Sequence, residues 1–174
     1  LQIEAAKRLM RKDMEGSLTR LKETQDLIRH SLNEIRNSVH MLKEDRYYDI
    51  NKAMHKLIHD TERNAGVVVH AEVAPIDHLS MIHKKALYHA LQEGLTNGIR
   101  HGNSSEFWFR LQDDGKNILF TLMDNGVGFD QVKLGFGLSM MKERVEQLRG
   151  SFSIESVLHK GCLIRIELPY GKTG

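Results

Sequence analysis

Three things are missing from this sequence: a cysteine pair, a long apolar run and an excess of charge of one sign. Cys162 is the only cysteine among 174 residues, so no disulfide can form within the chain, and a reducing compartment is expected. No apolar run approaches the roughly 20 residues that span a bilayer, and no signal-peptide pattern is present. With 25 basic and 23 acidic residues, the net charge of +2 predicts no nucleic-acid partner. We therefore expect a cytoplasmic location.

Glycine is scarce in the first half of the chain and frequent in the second. Only Gly16 and Gly66 precede residue 94, whereas twelve glycines lie from residue 94 onward. This distribution predicts a helical front, over residues 1–48, followed by a turn-rich domain over residues 49–174. The chain also begins at Leu1 within a helical pattern, which indicates a piece of a longer protein.

The front of the chain carries a heptad pattern, with successive spacings of three and four residues. Its members are Leu18, Leu21, Gln25, Ile28, Leu32, Ile35, Val39 and Leu42. Such a seam is typical of helices that pack against partner helices. We predict a helical hairpin with a short first arm over residues 1–12, and a homodimer in which two hairpins form a four-helix bundle. The alternative is a helix packed on its own domain.

The second domain alternates between helical and strand patterns. Helices are predicted over residues 49–64, 78–101 and 137–149, and strands over residues 67–73, 106–112, 118–124, 151–157 and 162–168. The turns between the strand pairs indicate hairpins. We predict an α+β fold, with a mixed, largely antiparallel sheet and helices on one face.

The helix predicted over residues 78–101 contains the stretch LQEGLTNGIRHG. At 100° per residue, Glu93, Asn97, Arg100 and His101 lie within about a third of the helix circumference. The predicted polar face therefore carries an acid, an amide and two bases. Two glycines of the same stretch, at positions 94 and 98, are expected to make room for a ligand. The alternative interpretation is a solvated helix face.

A carboxylate followed by glycines marks the stretch from Met123 to Gly150. Asp124 ends a predicted strand, and a carboxylate at that place suits an exocyclic amine such as that of adenine. Gly126 and Gly128 follow in a turn. Gly135 and Gly137 open the next predicted helix, and a helix N-terminus favours anions such as phosphate. The alternative is a loop that only reverses the chain.

Three blocks in this order, EGLTNGIRHG, DNGVGF and GFGLSMMKERV, resemble the N, G1 and G2 boxes of the GHKL-type ATP-binding domain. The segment SLNEIRNSVHML resembles the second dimerisation helix of bacterial sensor histidine kinases, in the subgroup of nitrate and desaturase-thermosensor kinases. The resemblance covers essentially the whole chain. It implies a GHKL (Bergerat) α/β sandwich preceded by a helical hairpin. It also implies ATP:protein-histidine phosphotransfer, with relay to a response regulator, in the cytoplasmic part of a sensor that can be membrane-anchored.

The same resemblance implies ATP and Mg²⁺ as cofactors and assigns roles to single residues. Asn97 would be the protein ligand to Mg²⁺, Glu93 would position a metal-bound water or the attacking group, and Asp124 would bind the adenine amine. Arg100 and His101 would neutralise phosphate charge. The residues implied around the nucleotide are Asn97, Arg100, His101, Asp124, Gly126, Gly128, Gly135, Gly137 and Leu138.

The sequence departs from the family pattern in two places. Cys162 stands where the family usually has a threonine, so a hydroxyl of the nucleotide pocket is replaced by a thiol. The phosphoaccepting histidine belongs on the first dimerisation helix, of which residues 1–12 would be the tail, and they contain no histidine. His59 imitates that histidine at the wrong place. Two alternatives remain: an anti-sigma-factor-like serine kinase, and a catalytically degenerate nucleotide-binding or dimerisation module.

Overall fold

The computed structural model describes residues 16–18, 20–21, 24–25, 28, 49–130 and 134–170. The chain divides into two compact units, Leu1–Glu44 and Asp45–Gly174. The assignment of a dimerisation hairpin to residues 1–48 and a catalytic domain to residues 49–174 stays a prediction. None of the helices in the described ranges is both long and apolar enough to cross a membrane.

The described residues of the first unit are helical and expose part of the heptad pattern. Leu18 and Ile28 are 59% and 49% exposed, whereas Ser17 and Thr24 are buried. The Thr24 hydroxyl donates to the Arg20 carbonyl at 2.8 Å. The remaining members of the pattern, from residue 32 onward, and the short arm lie outside the described residues. The hairpin and its dimer therefore stay predictions.

The second unit contains three helices and five strands in its described residues. In chain order they are α1 (Ile50–Ala65), β1 (Val68–Val73), α2 (Met81–Arg100), β2 (Glu106–Asp113), β3 (Asn117–Asp124), α3 (Phe136–Gln147), β4 (Ser151–Ser156) and β5 (Cys162–Pro169). Every predicted element of this unit is present. The largest difference is at α2, which begins at Met81 and not at residue 78, because its N-cap Ser80 is extended, with ψ of 154°.

The five strands form one sheet in the order β1-β2-β3-β5-β4. β1 and β2 are parallel, with Val68 opposite Glu106, and the other three pairs are antiparallel. Strand β5 therefore lies between β3 and its own hairpin partner β4. This mixed, largely antiparallel sheet confirms the predicted α+β class.

The two faces of the sheet differ in burial because side chains alternate along each strand. One face is buried under the helices, and its side chains include Phe107, Phe109, Leu111, Ile118, Phe120, Leu122, Ile164, Ile166 and Leu168. The other face is polar at many positions and carries Trp108 and Met123 at 37% and 40% exposure. Among the described residues of the second unit, helices thus cover one face of the sheet, as the alternation in the sequence predicts.

Two glycines let α2 approach the sheet closely. A Cβ added at Gly94 would lie 2.4 Å from Leu122 Cδ2, and one added at Gly98 would lie 2.4 Å from Phe107 Cε1. Both glycines are buried against side chains of β2 and β3. The prediction that they make room for a ligand is therefore wrong, because the sheet fills that space.

Helix α1 is defined at both ends by its own sequence. The Asp49 carboxylate accepts from the Lys52 N–H at 2.9 Å and caps the start of the helix. Gly66, with φ of 67°, ends it and donates to the Glu62 carbonyl. The Glu62 side chain also accepts from the Val69 N–H at 2.9 Å, so α1 is tied to β1.

Candidate functional site

The acid and the amide predicted on the polar face of α2 contact each other. Asn97 Nδ2 donates to Glu93 Oε1 at 2.9 Å, one helical turn away, and both side chains are half-buried. Because the amide nitrogen is used in this bond, the Asn97 amide oxygen is the atom available to a further partner. A carboxylate and an amide oxygen are thus held side by side.

The Glu93 carboxylate also lies over the start of α3. The N-cap of this helix is Gly135, in an extended conformation with no side-chain cap, and Phe136 and Gly137 follow it in the first turn. A Cβ added at Gly137 would lie 1.7 Å from Glu93 Oε1. Only glycine at position 137 leaves room for that carboxylate. The contact joins two motifs that are 44 positions apart in the sequence.

Space is open at the N-cap of α3. A Cβ added at Gly135 would meet nothing within 4 Å, and Leu138 is half-buried one turn into the helix. Backbone N–H groups in the first turn of a helix lack intrahelical partners and favour an anion. The geometry suits the predicted phosphate cradle, with the Glu93 carboxylate at its border.

Arg100 and His101 lie at the exposed C-terminal end of α2. Helix α2 ends at Arg100, and His101 is its C-cap, with its N–H donating to the Asn97 carbonyl at 2.8 Å. Within the described ranges, neither side chain forms a hydrogen bond or an ion pair. The structure therefore brings Glu93, Asn97 and Gly137 together and leaves the two bases exposed. Their role in neutralising phosphate stays a prediction.

Asp124 is held at the end of β3 by two donors to one of its oxygens. The Ser104 hydroxyl and the Gly126 N–H each donate to Asp124 Oδ1 at 2.8 Å. The residue is half-buried, and within the described part of the chain Oδ2 has no donor. One carboxylate oxygen is therefore fixed, and the other can accept a hydrogen bond from a ligand.

The backbone of Gly161 packs directly on Asp124. Gly161 has φ of 82°, and a Cβ there would lie 1.8 Å from the Asp124 carbonyl oxygen. The next residue, Cys162, is half-buried and does not belong to the fully buried core. Burial and, to a lesser extent, the Asp124 charge raise the pKa of the Cys162 thiol to about 12. A neutral thiol therefore lies where the resemblance described above implies a hydroxyl.

The two glycines after Asp124 are required by packing within the chain. A Cβ at Gly126 would lie 2.4 Å from the Gly102 carbonyl oxygen, and one at Gly128 would lie 2.1 Å from the Val157 carbonyl oxygen. The Val127 N–H donates to the Gly102 carbonyl at 2.8 Å and closes the loop on the segment after α2. Whether the same glycines also shape a nucleotide wall stays a prediction.

Two polar residues of this region were not found by sequence reasoning. One is Ser104, described above. The other is Asn125, whose side-chain oxygen accepts from the Ser105 and Glu106 N–H groups, both at 3.0 Å. Asparagine in a turn often accepts backbone hydrogen bonds, so this role of Asn125 could have been predicted from the sequence. Nothing in the local pattern marked Ser104, because its partner is 20 positions away.

Relatives of known class match nearly the whole chain. The chain is 29% identical over 171 residues to the sensor histidine kinase YxjM of Bacillus subtilis, covering 97% of this chain and 42% of that protein. It is 26% identical over 172 residues to the sensor histidine kinase DesK of the same organism, covering 97% and 45%. The chain thus spans less than half the length of these relatives. The predicted resemblance to sensor histidine kinases of that subgroup is confirmed.

A solved structure and a family profile agree with this result. The Acinetobacter baumannii histidine kinase AdeS superimposes with a TM-score of 0.61 over 98% of this chain and 94% of that chain, at 12% identity, and so shares the fold. The profile of a family described as histidine kinase-, DNA gyrase B- and HSP90-like ATPase matches residues 82–172. That range is more than half of the chain and contains Glu93, Asn97, Asp124 and Gly137. The chain belongs to the histidine kinase-, DNA gyrase B- and HSP90-like ATPase family.

Proposed function

We propose that the second unit binds Mg-ATP as the catalytic part of a sensor histidine kinase and transfers the γ-phosphate to a histidine. The observation that carries the proposal is the contact between the Glu93–Asn97 pair and Gly137 at the start of α3. It places a carboxylate, an amide oxygen and a helix N-terminus at one spot. These groups serve phosphoryl transfer, which depends on positioning and charge neutralisation.

The two ends of the site accept the two ends of the nucleotide. The free oxygen of Asp124 accepts the exocyclic amine of adenine, because a carboxylate is an acceptor only. The phosphates lie at the α3 N-terminus, beside Gly135, where a Cβ would meet open space. Arg100 and His101, at the exposed end of α2, supply positive charge to the same region.

The donor atoms present fit magnesium. Mg²⁺ prefers oxygen ligands, keeps several waters and is usually bound through one or two protein groups together with substrate phosphates. The Asn97 amide oxygen is such a ligand, and the Glu93 carboxylate lies next to it. Among the described residues, no cluster of three or more His, Cys, Asp or Glu side chains is suited to hold a metal ion. Bound magnesium would neutralise charge on the phosphates.

Each protein group then has a limited task. Asn97 would hold the cation through its amide oxygen, and Glu93, which accepts the Asn97 hydrogen bond, would position a water molecule or the attacking group. The phosphoaccepting histidine lies on a dimerisation helix outside this sequence, in a homodimeric parent protein with its catalytic domain in the cytoplasm. A response regulator then receives the phosphoryl group. The names of the relatives support this assignment, since both are sensor histidine kinases.

Nucleotide titration tests the binding half of the proposal. Calorimetry of the chain with ADP should give saturable binding that Asp124→Asn weakens about tenfold or more, because a charge-assisted hydrogen bond is lost. Glu72→Gln is the matched control, since Glu72 pairs with Arg110 on the open face of the sheet. Equal affinity in the wild type and in Asp124→Asn would contradict the adenine assignment.

Labelling with [γ-³²P]ATP tests the phosphotransfer half. The chain alone should stay unlabelled, because transfer needs an imidazole nitrogen held about 3 Å from the phosphate in line for attack. Addition of the upstream dimerisation helix of the parent protein should give a label that is stable in base and lost in acid. An acid-stable label would indicate a serine kinase. Stoichiometric label on His59 in the chain alone would contradict the placement of the acceptor.

A further inference from the structure

The hydroxyl of Ser104 occupies a place formed by glycines from three separate segments. A Cβ would lie 2.3 Å from Ser104 Oγ if added at Gly126, 2.8 Å if added at Gly102 and 3.4 Å if added at Gly98. Gly98 belongs to α2, Gly102 to the α2–β2 connection and Gly126 to the loop after β3. Three segments therefore each place a residue without a side chain next to this one oxygen atom.

Ser104 is also one of the few buried polar residues of the described chain, at 5% exposure. Its backbone N–H donates to the Gly98 carbonyl at 3.0 Å, so α2 fixes its position. Its hydroxyl donates to Asp124 Oδ1 at 2.8 Å. A buried hydroxyl that donates to a carboxylate restricts the rotation of that carboxylate. The Gly126 N–H, as the second donor to the same oxygen, completes the restriction.

We propose that Ser104 is a positioning residue that sets the preference of the site for a 6-aminopurine. By holding Oδ1 of Asp124, it directs Oδ2 into the site as an acceptor for the exocyclic amine. A purine with a carbonyl oxygen at that position is rejected, because two hydrogen-bond acceptors, the carbonyl oxygen and Asp124 Oδ2, would face each other. This inference rests on the proposed binding of adenine by Asp124 and extends it to a residue that need not touch the nucleotide.

Ser104 differs in this respect from its neighbour. Ser105 is exposed, and its hydroxyl accepts from Asn125 Nδ2 at 3.1 Å. Within the described residues its hydroxyl forms no hydrogen bond with Asp124, although Ser105 is adjacent to Ser104 in the chain and carries the same side chain. Ser105→Ala therefore removes a hydroxyl and a side-chain hydrogen bond without releasing the Asp124 carboxylate.

The test compares ADP with IDP, which carries a carbonyl oxygen in place of the amine, by calorimetry. The wild type should prefer ADP, and Ser104→Ala should lower ADP affinity about threefold to tenfold while changing IDP affinity little. The ratio of the two affinities should therefore fall. Ser105→Ala should leave the ratio unchanged, and Ser104→Thr, which keeps the hydroxyl, should retain more of the preference than Ser104→Ala.

A second comparison separates this inference from the adenine assignment. In an Asp124→Asn background, Ser104→Ala should cause no further change in the ratio, because Ser104 acts through that carboxylate. If the wild-type preference for ADP depends on Asp124 but Ser104→Ala loses ADP and IDP affinity equally, the role of Ser104 is overturned and the adenine assignment is kept. A wild type without any preference for ADP would overturn the adenine assignment and this inference together. Thermal unfolding of each variant confirms that the protein titrated is folded.

Discussion

Replacing Gly137 with alanine should affect the proposed binding of magnesium without changing the stability of the domain. An alanine Cβ would lie 1.7 Å from Glu93 Oε1, whereas real Cβ contacts shorter than 3.0 Å essentially never occur. The carboxylate oxygen must therefore move by at least 1.3 Å, the difference between these two distances. It is the end of a flexible side chain, so it can move without displacing the backbone.

The displacement should leave stability almost unchanged. Alanine is favoured over glycine in a helix by about 1 kcal/mol, which stabilises α3. Loss of the hydrogen bond from Asn97 to Glu93 costs about 0.5–1.5 kcal/mol and offsets that gain. We expect the free energy of unfolding, measured by urea denaturation, to change by less than about 1 kcal/mol.

Magnesium dependence should respond much more strongly. With Glu93 displaced, the Asn97 amide loses the bond that orients its oxygen. The gain in ATP affinity on adding Mg²⁺, measured by calorimetry, should fall about threefold to tenfold. In a Glu93→Ala background, Gly137→Ala should have no such effect, since the carboxylate is absent. An unchanged magnesium-dependent gain in a folded Gly137→Ala variant would refute the reasoning.

Four further predictions concern the same unit. Asn97→Ala should weaken binding of Mg-ATP strongly and binding of metal-free adenosine little, as measured by calorimetry; equal losses would mean a purely structural role. Gly94→Ala places a Cβ 2.4 Å from the buried Leu122 side chain, so it should lower the free energy of unfolding, measured by urea denaturation, by about 1–3 kcal/mol. An unchanged free energy of unfolding would show that the Leu122 side chain can move to make room for the added methyl group. Because the Cys162 pKa is raised from 9.0 to about 12, the thiol is neutral at pH 8 and should react with iodoacetamide only slowly until the protein unfolds. The same shift predicts that stability falls as the pH rises from about 9 towards 12, because the unfolded chain loses that proton first; pH-independent stability in this range would count against it.

The sequence was sufficient to predict the elements of the second unit and the helix face that Glu93 and Asn97 share. Phe107, Phe109 and Leu111 alternate with exposed residues, so strand β2 and its buried face could be predicted from local spacing. Glu93 and Asn97 are one turn apart, which a helix converts into contact. Such features depend on a few neighbouring residues and on a fixed period.

Features that join distant segments could not be predicted in the same way. A glycine lacks a side chain whether its neighbour is a ligand or a sheet, so the packing role of Gly94 and Gly98 was not apparent from the sequence. The insertion of β5 between β3 and β4 follows from pairing over long sequence separations. The start of α2 was predicted too early because Ile76 and Leu79, although buried, precede the helix and extend its apolar pattern.

The position of β5 within the sheet also has a consequence for the order in which the domain folds. The hairpins β2–β3 and β4–β5 pair residues that are close in the sequence, whereas β3 and β5 pair residues 40 to 52 positions apart, from Met123 with Leu163 to Asn117 with Pro169. Contacts between distant residues form more slowly, because a longer loop must close before they are made. The contact between Gly161 and Asp124 follows from the β3–β5 pairing, so the Asp124 end of the proposed nucleotide site should be complete only late in folding. A refolding experiment should then show hairpin formation before the chain gains the ability to bind ADP.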